Sequence, residues 1–223
     1  MRKLLPIFIV YLLFAGNRLA AQPAGFSITT DLGIQRNFRK QQQFWAFGQT
    51  VQFQLHVTPK NSFYIWAAYF SNGKVNYAQT ATAKSLTTLP QSIAYNNQSL
   101  IRFKHISMGG KHYFKGSAVQ ESGWNLYGLA GFGIILGRVI NTFSTPVDSS
   151  RYTIPLQEGQ ANFKRLTIDV GLGWEKSLGG TIYVYNDFRF WVPTSDYPSP
   201  YLFVNNHAPL AGTVSLGVRI LFD

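Results

Sequence analysis

The most constraining feature of this chain is the alternation of apolar and polar residues over its last stretch, residues 210–222. Every second residue there is apolar or glycine: Leu210, Gly212, Val214, Leu216, Val218, Ile220 and Phe222. The positions between them hold mostly small or polar residues, including Thr213, Ser215 and Arg219. A period of two predicts a β-strand with one apolar face. About 9–11 such residues are enough to cross a bilayer when the strand is tilted within a closed barrel.

The first 21 residues have the pattern of a cleaved secretory signal peptide. Two basic residues precede a short apolar run over residues 4–14, and the small pair Ala20 and Ala21 follows. The run is shorter than the roughly 20 residues of a membrane-spanning helix. We therefore expect a signal peptide over residues 1–21 and one domain over residues 22–223. The chain has no cysteine, which excludes disulfide bonds and a cysteine-linked lipid anchor.

Composition and the shortness of the apolar runs restrict the fold class. Aromatic residues make up 16% of the chain and charged residues only 13%, against about 25% charged in typical soluble domains. After the signal peptide, the most apolar stretch spans residues 126–140 and includes several glycines, so it is too short for a spanning helix. A membrane protein without spanning helices must close its strands into a barrel, because lipid cannot satisfy an open sheet edge.

Alternation and turn residues divide the rest of the chain into eight strands. The predicted bounds are residues 26–35, 45–58, 62–70, 99–114, 124–137, 163–176, 181–192 and 210–222. The sequence thus predicts an all-β fold: an eight-stranded antiparallel transmembrane β-barrel with short periplasmic turns and long extracellular loops. A water-soluble barrel with its apolar face inward has the same alternation. We favour the membrane barrel because the charges collect on the polar face.

Two segments carry a resemblance to known proteins. They are Trp-Asn-Leu-Tyr-Gly-Leu-Ala-Gly-Phe-Gly at residues 124–133 and the Ala-Gln junction at residues 21–22. With the strand pattern, they make the chain similar to the small eight-stranded outer-membrane β-barrel proteins, both OmpA/OmpX-type and the PorT-like barrel proteins of Bacteroidetes. The resemblance implies an outer-membrane location and assembly by the barrel assembly machinery. The last strand resembles the assembly signal of that family, with Phe222 as its aromatic residue, although Asp223 follows it.

The polar positions of the strands predict what fills the lumen. An eight-stranded barrel has an interior just wide enough for side chains. The predicted lumen residues are Asp31, Gln52, Gln54, His56, Arg102, Lys104, Arg165, Asp169, Glu175, Asp187, Arg189 and Arg219. Acids and bases are mixed, and isolated buried charges are costly. We therefore expect an ion-paired plug that stabilises the barrel, with a proton or ion pathway as the alternative.

The chain is strongly basic, with a formal net charge of +11. Eight cations are predicted in or beside the outer loops: Arg36, Arg39, Lys40, Lys74, Lys84, Arg138, Arg151 and Lys164. We expect these cations to contact lipopolysaccharide phosphates beside the surrounding outer-membrane lipid, as cations do at other anionic membrane surfaces. Nucleic acid is not an expected partner, because the sequence has no basic helix or recognition motif.

The sequence gives little indication of catalysis. The glycine-rich run at residues 128–133 has no following helix, so we interpret it as small packing residues rather than a dinucleotide loop. Asp196, Ser199 and His207 share one loop and are the positions to test for a lipid A-modifying activity. No metal-ligand spacing or cofactor motif is present, and we expect neither enzyme activity nor a cofactor.

The predicted function is a structural or surface-interaction role through the extracellular loops, with an unidentified loop-binding partner. Two alternatives remain open. One is a PorT-like accessory role in secretion or envelope biogenesis, and the other is a narrow channel.

Overall fold

The computed structural model describes residues 25–207 and 209–222, most of which lie in β-strands. The strands in this part of the chain are β1 (Phe26–Asn37), β2 (Trp45–Thr58), β3 (Asn61–Ala83), β4 (Ser92–Lys115), β5 (Trp124–Phe143), β6 (Tyr152–Thr153), β7 (Gly159–Gly179), β8 (Ile182–Pro193) and β9 (Ala211–Phe222). A short 3-10 helix spans Lys40–Gln42. Over the described ranges, no helix is long and apolar enough to cross a membrane. The predicted signal peptide over residues 1–21 lies outside the described residues.

Eight of these strands form a closed antiparallel ring. Each pairs with the ring strands that precede and follow it along the chain, and β1 also pairs with β9. The closing ladder joins Phe26 to Phe222 at one end and Asn37 to Ala211 at the other. The two-residue strand β6 pairs with the end of β3, outside the ring. The predicted eight-stranded antiparallel barrel is confirmed.

Polar residues face the interior of the ring and apolar residues face outward. On β1, Asp31 is 5% exposed whereas the adjacent Leu32 is 71% exposed. The same alternation places Asp169 inside and Val170 outside on β7. A water-soluble barrel requires the opposite arrangement, because its apolar side chains must be buried. The fold is therefore a transmembrane β-barrel, with an apolar outer surface that suits hydrocarbon.

The two ends of the barrel differ in their connections. At the end that we call the turn end, residues 59–60, 116–123 and 180–181 join successive strands. At the opposite end, the loop end, the connections span residues 38–44, 84–91, 144–158 and 194–210. Both the first and the last barrel strands have their free termini at the turn end, because the number of strands is even.

Strands β3, β4, β5 and β7 are longer than the rest, with 20–24 residues against 12–14. Their extra length extends past the loop end as a four-stranded sheet, which we call the projection (residues 72–83, 92–101, 139–143 and 159–161). The predicted strand bounds leave residues 71–98 as a long loop, and this prediction is wrong except for residues 84–91, which connect β3 to β4. Outside the membrane both faces of a sheet can be polar, so the apolar alternation fades while the backbone ladder continues.

The tip of the projection has a small apolar cluster of its own. It consists of Ala81, Tyr95, Phe143 and Tyr152. The rings of Tyr95 and Phe143 pack with centroids 4.6 Å apart, and the Tyr152 hydroxyl donates a hydrogen bond to the Pro90 carbonyl at 3.0 Å. These contacts stabilise a sheet that the barrel itself does not support.

Candidate functional site

The turn-end half of the lumen contains a buried ion cluster centred on Glu175 of β7. Arg219 of β9 donates from Nη2 to Glu175 Oε1 at 2.8 Å and from Nε to Oε2 at 3.1 Å. Lys111 of β4 donates to Oε2 at 3.1 Å, and Asn125 of β5 donates to Oε1 at 3.0 Å. We call these four residues the turn-end ion cluster. Donors from three other strands compensate one buried carboxylate, which offsets its loss of hydration.

Aromatic rings cover the two cations of this cluster. The guanidinium carbon of Arg219 lies 3.6 Å from the ring centroid of Tyr183, and Lys111 Nζ lies 3.6 Å from that of Tyr127. Arg219 Nη1 also donates to Ser27 Oγ at 2.9 Å. Cation–π contacts are strongest where the cation is shielded from water, so these rings stabilise the two buried charges.

His56 of β2 extends the same network toward the barrel wall. Its Nε2 lies 2.5 Å from Ser27 Oγ, and its Nδ1 lies 2.7 Å from Ser62 Oγ. The Ser27 hydroxyl links it to Arg219. Both ring nitrogens are therefore engaged with hydroxyls, and we interpret His56 as a structural link between strands.

A second ion pair lies near the middle of the barrel. Arg189 Nη2 donates to Asp187 Oδ2 at 2.7 Å, and Asp187 Oδ1 accepts a hydrogen bond from the Tyr127 hydroxyl at 2.5 Å. Arg189 also donates to the side-chain carbonyl of Gln52. Because Tyr127 also covers Lys111, this pair and the turn-end ion cluster form one continuous network.

Asp31 of β1 belongs to the middle layer as well. Its Oδ2 accepts hydrogen bonds from the Thr50 hydroxyl at 2.6 Å and from the Tyr185 hydroxyl at 2.5 Å. Donation by neutral hydroxyls stabilises an ionised carboxylate. The contact ties β1 to β2 and, across the lumen, to β8.

The loop-end half of the lumen is filled mainly by aromatic rings. Trp191 of β8 is fully buried and packs edge to face on Trp66, with centroids 5.8 Å apart, and on Phe70 at 5.5 Å. Such pairs add about 0.5–1.5 kcal/mol each beyond the burial of their area. We call the whole set the loop-end aromatic cluster: Phe44, Trp66, Phe70, Phe103, Phe163 and Trp191.

Asp169 of β7 lies beside these rings with less compensation than Glu175 has. Its Oδ2 is 3.3 Å from His105 Nε2. Within the described residues, neither of its carboxylate oxygens accepts a hydrogen bond. His105 is also 3.1 Å from Thr167 Oγ1 and packs against Trp191. The buried carboxylate in the loop-end half therefore has fewer hydrogen-bond donors than the one in the turn-end half.

The connection between β8 and β9 covers the mouth at the loop end with its described residues, 194–207 and 209–210. Leu202 is buried against the loop-end aromatic cluster. Arg165 Nη2 donates to the backbone carbonyls of Tyr197 at 3.3 Å and Asn205 at 3.2 Å. The cavity beneath this connection measures only about 10 Å³, about the space of one water molecule. This packing favours a plug over an ion pathway.

The structure places most of the predicted lumen residues inside the barrel: Asp31, Gln52, Gln54, His56, Arg165, Asp169, Glu175, Asp187, Arg189 and Arg219. Arg102 and Lys104 are exceptions, and the prediction for them is wrong. Their side chains face outward because Ile101 and Phe103 of the same strand face inward. The loop-end half of the lumen is apolar, so this part of β4 buries its apolar residues and exposes its cations.

The wrong assignment of the two faces of β4 also explains why Lys111 and His105 were not predicted to lie in the lumen. Both lie in the lumen, on the face of β4 that was assigned to lipid. The alternation of exposed Ile106 and Met108 against these polar residues is the pattern that could have identified them. The opposite order at residues 101–104, where the inward residues are apolar and the outward residues are charged, obscured this pattern.

The glycine-rich run on β5 has a packing role. Gly131 lies where a Cβ atom would be 2.7 Å from the Tyr64 hydroxyl and closer still to the β4 backbone. Glycine is therefore required for the close approach of a lumen ring to the wall.

The three loop residues proposed for lipid A chemistry are only partly assembled. His207 Nδ1 lies 3.6 Å from Asp196 Oδ1, and both side chains are about half exposed. Ser199 Oγ instead accepts a hydrogen bond from the Tyr201 backbone N–H at 3.3 Å. Nucleophilic catalysis requires a serine in contact with its base, so this geometry does not support it. Over residues 25–207 and 209–222, no group of three potential ligands is arranged to hold a metal ion.

Comparison with solved structures identifies the fold. Neisserial surface protein A (NspA) is similar over 87% of this chain and 96% of its own, with a TM-score of 0.53 and 12% identity. Ail, the attachment invasion locus protein of Yersinia pestis, is similar over 90% of this chain and 100% of its own, with a TM-score of 0.51 and 10% identity. Ail in complex with the heparin analogue sucrose octasulfate covers 89% of this chain and 99% of its own, with a TM-score of 0.50 and 12% identity.

Sequence comparison adds no closer relative. No protein-family model matches the chain, and no curated protein matches it. The resemblance to small eight-stranded outer-membrane β-barrels of the OmpA/OmpX type is confirmed at the level of the fold. The similarity to the PorT-like proteins of Bacteroidetes stays a prediction.

Proposed function

We propose that this protein is an integral outer-membrane barrel whose projection contacts partners outside the cell. The observation that carries the proposal is the unequal length of the barrel strands. The ring closes with 12 to 14 residues in four strands, whereas the other four continue for 20 to 24. The additional sheet is not needed to close the barrel. Because side chains fill the lumen, a surface-interaction role is better supported than a channel.

The names of the proteins with similar structures support this surface role. Neisserial surface protein A and the attachment invasion locus protein carry surface roles in their names, and one Ail structure holds a sulfated sugar. On this chain, the Lys84 backbone N–H donates to the Arg151 carbonyl at 3.0 Å, which brings two cations together at the tip of the projection. A sulfated saccharide is therefore the first probe for the unidentified partner.

Epitope tags test the location and orientation. One tag is inserted after Leu86, which is 92% exposed in the connection at residues 84–91. The matched control carries the same tag in the turn at residues 180–181. We expect antibody to label intact cells with the first tag and to label the second only after the outer membrane is permeabilised. Labelling of the second tag alone on intact cells would reverse the orientation and reject the proposal.

Heparin fragments test the surface interaction with purified protein in nanodiscs. We expect the double substitution Lys84→Gln and Arg151→Gln to weaken binding severalfold, because two cations at the tip are removed. The control removes two turn-end cations, Lys60→Gln and Lys176→Gln, and should bind normally. Equal loss in both variants would indicate nonspecific attraction to a basic protein.

We also propose that Phe222 is read by the barrel assembly machinery. Its ring stacks on that of Phe26 with centroids 4.9 Å apart, at the turn end of the closing ladder. Phe222→Ala should lower the amount of folded barrel in cells, while the purified chain should still refold in detergent. Phe26→Ala removes the same stacking and is the control. If both variants assemble equally in cells, Phe222 acts by packing and not as a signal.

A further inference from the structure

Four cations lie side by side on the outward surface of the barrel at the base of the projection. Arg102 and Lys104 are on β4, Arg138 is on β5 and Lys164 is on β7. We call them the outer cation patch. Arg102 pairs directly with Arg138 across the sheet, and Leu136 pairs with both Lys104 and Lys164. The four side chains line one cleft of about 700 Å³, whose other lining residues include Tyr69 and Leu136 on the outward surface and Tyr197 of the connection after β8.

No protein carboxylate neutralises the outer cation patch. The acids on the barrel strands that the structure describes, Asp31, Asp169, Glu175 and Asp187, all face the lumen. In the described ranges, none of the four patch cations has a carboxylate within 4 Å. Like charges directly opposite each other destabilise a sheet. Arg138 donates a hydrogen bond to the side-chain carbonyl of Gln160, which carries no charge. An external anion between Arg102 and Arg138 would relieve their repulsion.

The outer cation patch marks the edge of the apolar outer surface. On β7 the outward positions are apolar from Trp174 to Leu166, and Lys164 is the next outward residue. On β5 the apolar positions end at Leu136, and Arg138 follows. An anion bound here has water on one side and hydrocarbon on the other. That position suits an amphiphile rather than a fully soluble anion.

We propose that the outer cation patch binds the phosphate groups of a phosphorylated glycolipid in the surrounding leaflet, with its acyl chains along the apolar surface below. In an outer membrane this chemistry is that of the lipid A part of lipopolysaccharide. Arginine binds phosphate oxygens in a bidentate geometry, and the two lysines flank Leu136 at the hydrocarbon edge. The inference rests on the proposed outer-membrane orientation, and it explains why two cations expected in the lumen are outside.

Lipid A binding to the purified full chain in detergent micelles tests this proposal, with native mass spectrometry as the measurement. The test variant combines R102Q, K104Q, R138Q and K164Q. The control removes three cations at the turn end instead, as K60Q, K115Q and K176Q. We expect bis-phosphorylated lipid A to bind the test variant at least about tenfold more weakly than the unsubstituted protein. The control should stay within about twofold.

Lipid chemistry and soluble competitors separate the possible ligands. Dephosphorylated lipid A should bind the unsubstituted protein as weakly as bis-phosphorylated lipid A binds the test variant. Displacement of lipid A by inorganic phosphate or heparin fragments at similar concentrations would overturn the proposal and indicate a site for soluble anions. Equal binding by the test variant and the control variant would overturn it too.

Two further measurements keep the test independent of folding and of the proposed function. Migration on an unheated gel shows whether the variants fold, and the double variant K104Q with K164Q is used if the quadruple variant does not. The tag after Leu86 is carried on every variant. If the test variant is labelled on the outside of intact cells and binds lipid A as the unsubstituted protein does, the outer cation patch alone is rejected. Labelling from the periplasmic side rejects the proposed orientation.

Discussion

The two halves of the lumen are filled by different chemistry. At the turn end, Glu175 receives hydrogen bonds from Arg219, Lys111 and Asn125. At the loop end, Asp169 is approached by His105 at 3.3 Å and lies opposite Trp191 of the loop-end aromatic cluster in the ladder of β7 and β8. The first half gains its stability from mutual compensation of charges, and the second gains it from the burial of large apolar side chains.

From this difference we predict which substitutions each half of the lumen tolerates. In a compensated ion cluster every member depends on the others, because removal of one leaves a buried charge without a partner. In an aromatic layer a single polar residue contributes little, and its neutral analogue fits the same space. We therefore expect the turn-end half to be sensitive to charge and the loop-end half to be sensitive to volume.

The largest expected effect is at the centre of the turn-end ion cluster. Glu175→Ala should lower the free energy of unfolding by about 3–5 kcal/mol, because Arg219 and Lys111 stay buried without a carboxylate. Urea unfolding of the refolded protein in lipid vesicles measures the change. Glu121→Ala, in the connection at residues 116–123, is the control and should change little. A loss below about 1 kcal/mol for Glu175→Ala would contradict the dependence on compensation.

A substitution on the outward face of β7 tests whether that face contacts lipid, so that the opposite face lines the lumen. Val170→Arg should cost about 2–4 kcal/mol if the position lies near the bilayer midplane, because the charge then faces hydrocarbon. The same vesicle unfolding measures it, with Val170→Ala as the control for side-chain removal. If Val170→Arg is harmless, the outward surface is not in contact with lipid, and the assignment of faces fails.

A smaller effect is expected where Arg165 holds the connection at residues 194–210. Arg165→Ala leaves the carbonyls of Tyr197 and Asn205 without this donor, which should cost about 1–3 kcal/mol. Hydrogen exchange should accelerate in this connection and stay unchanged at residues 84–91. Uniform acceleration in both connections would instead indicate a global loss of stability.

The smallest effect is expected at the aromatic end. Asp169→Asn keeps the volume and removes a charge that has little compensation, so the free energy of unfolding should change by less than about 1 kcal/mol. Glu175→Gln is the matched change in the other half and should be clearly more destabilising. Similar losses for the two amide substitutions would remove the distinction between the halves.

Much of the fold could be predicted because the alternation of one strand is a local property. The period of two over residues 210–222 and on β1, β2 and β7 identified strands and faces without knowledge of their neighbours. Strand ends were predicted less well, since β3 ends at Ala83 and not at residue 70, and β4 begins at Ser92 and not at residue 99. Their pairing in the projection depends on backbone hydrogen bonds, which carry no side-chain pattern.

The candidate site, like the fold, could be predicted only in part. The polar faces of alternating strands in a narrow barrel were enough to predict that acids and bases such as Glu175 and Arg219 share an interior. The assembled barrel was needed to show which charges meet, and that β4 places Arg102 and Lys104 outside and Lys111 inside. Whether a side chain of β4 faces inward or outward depends on what the other seven strands contribute to each layer. Where that layer is aromatic, the apolar residues of β4 turn inward and its cations face out.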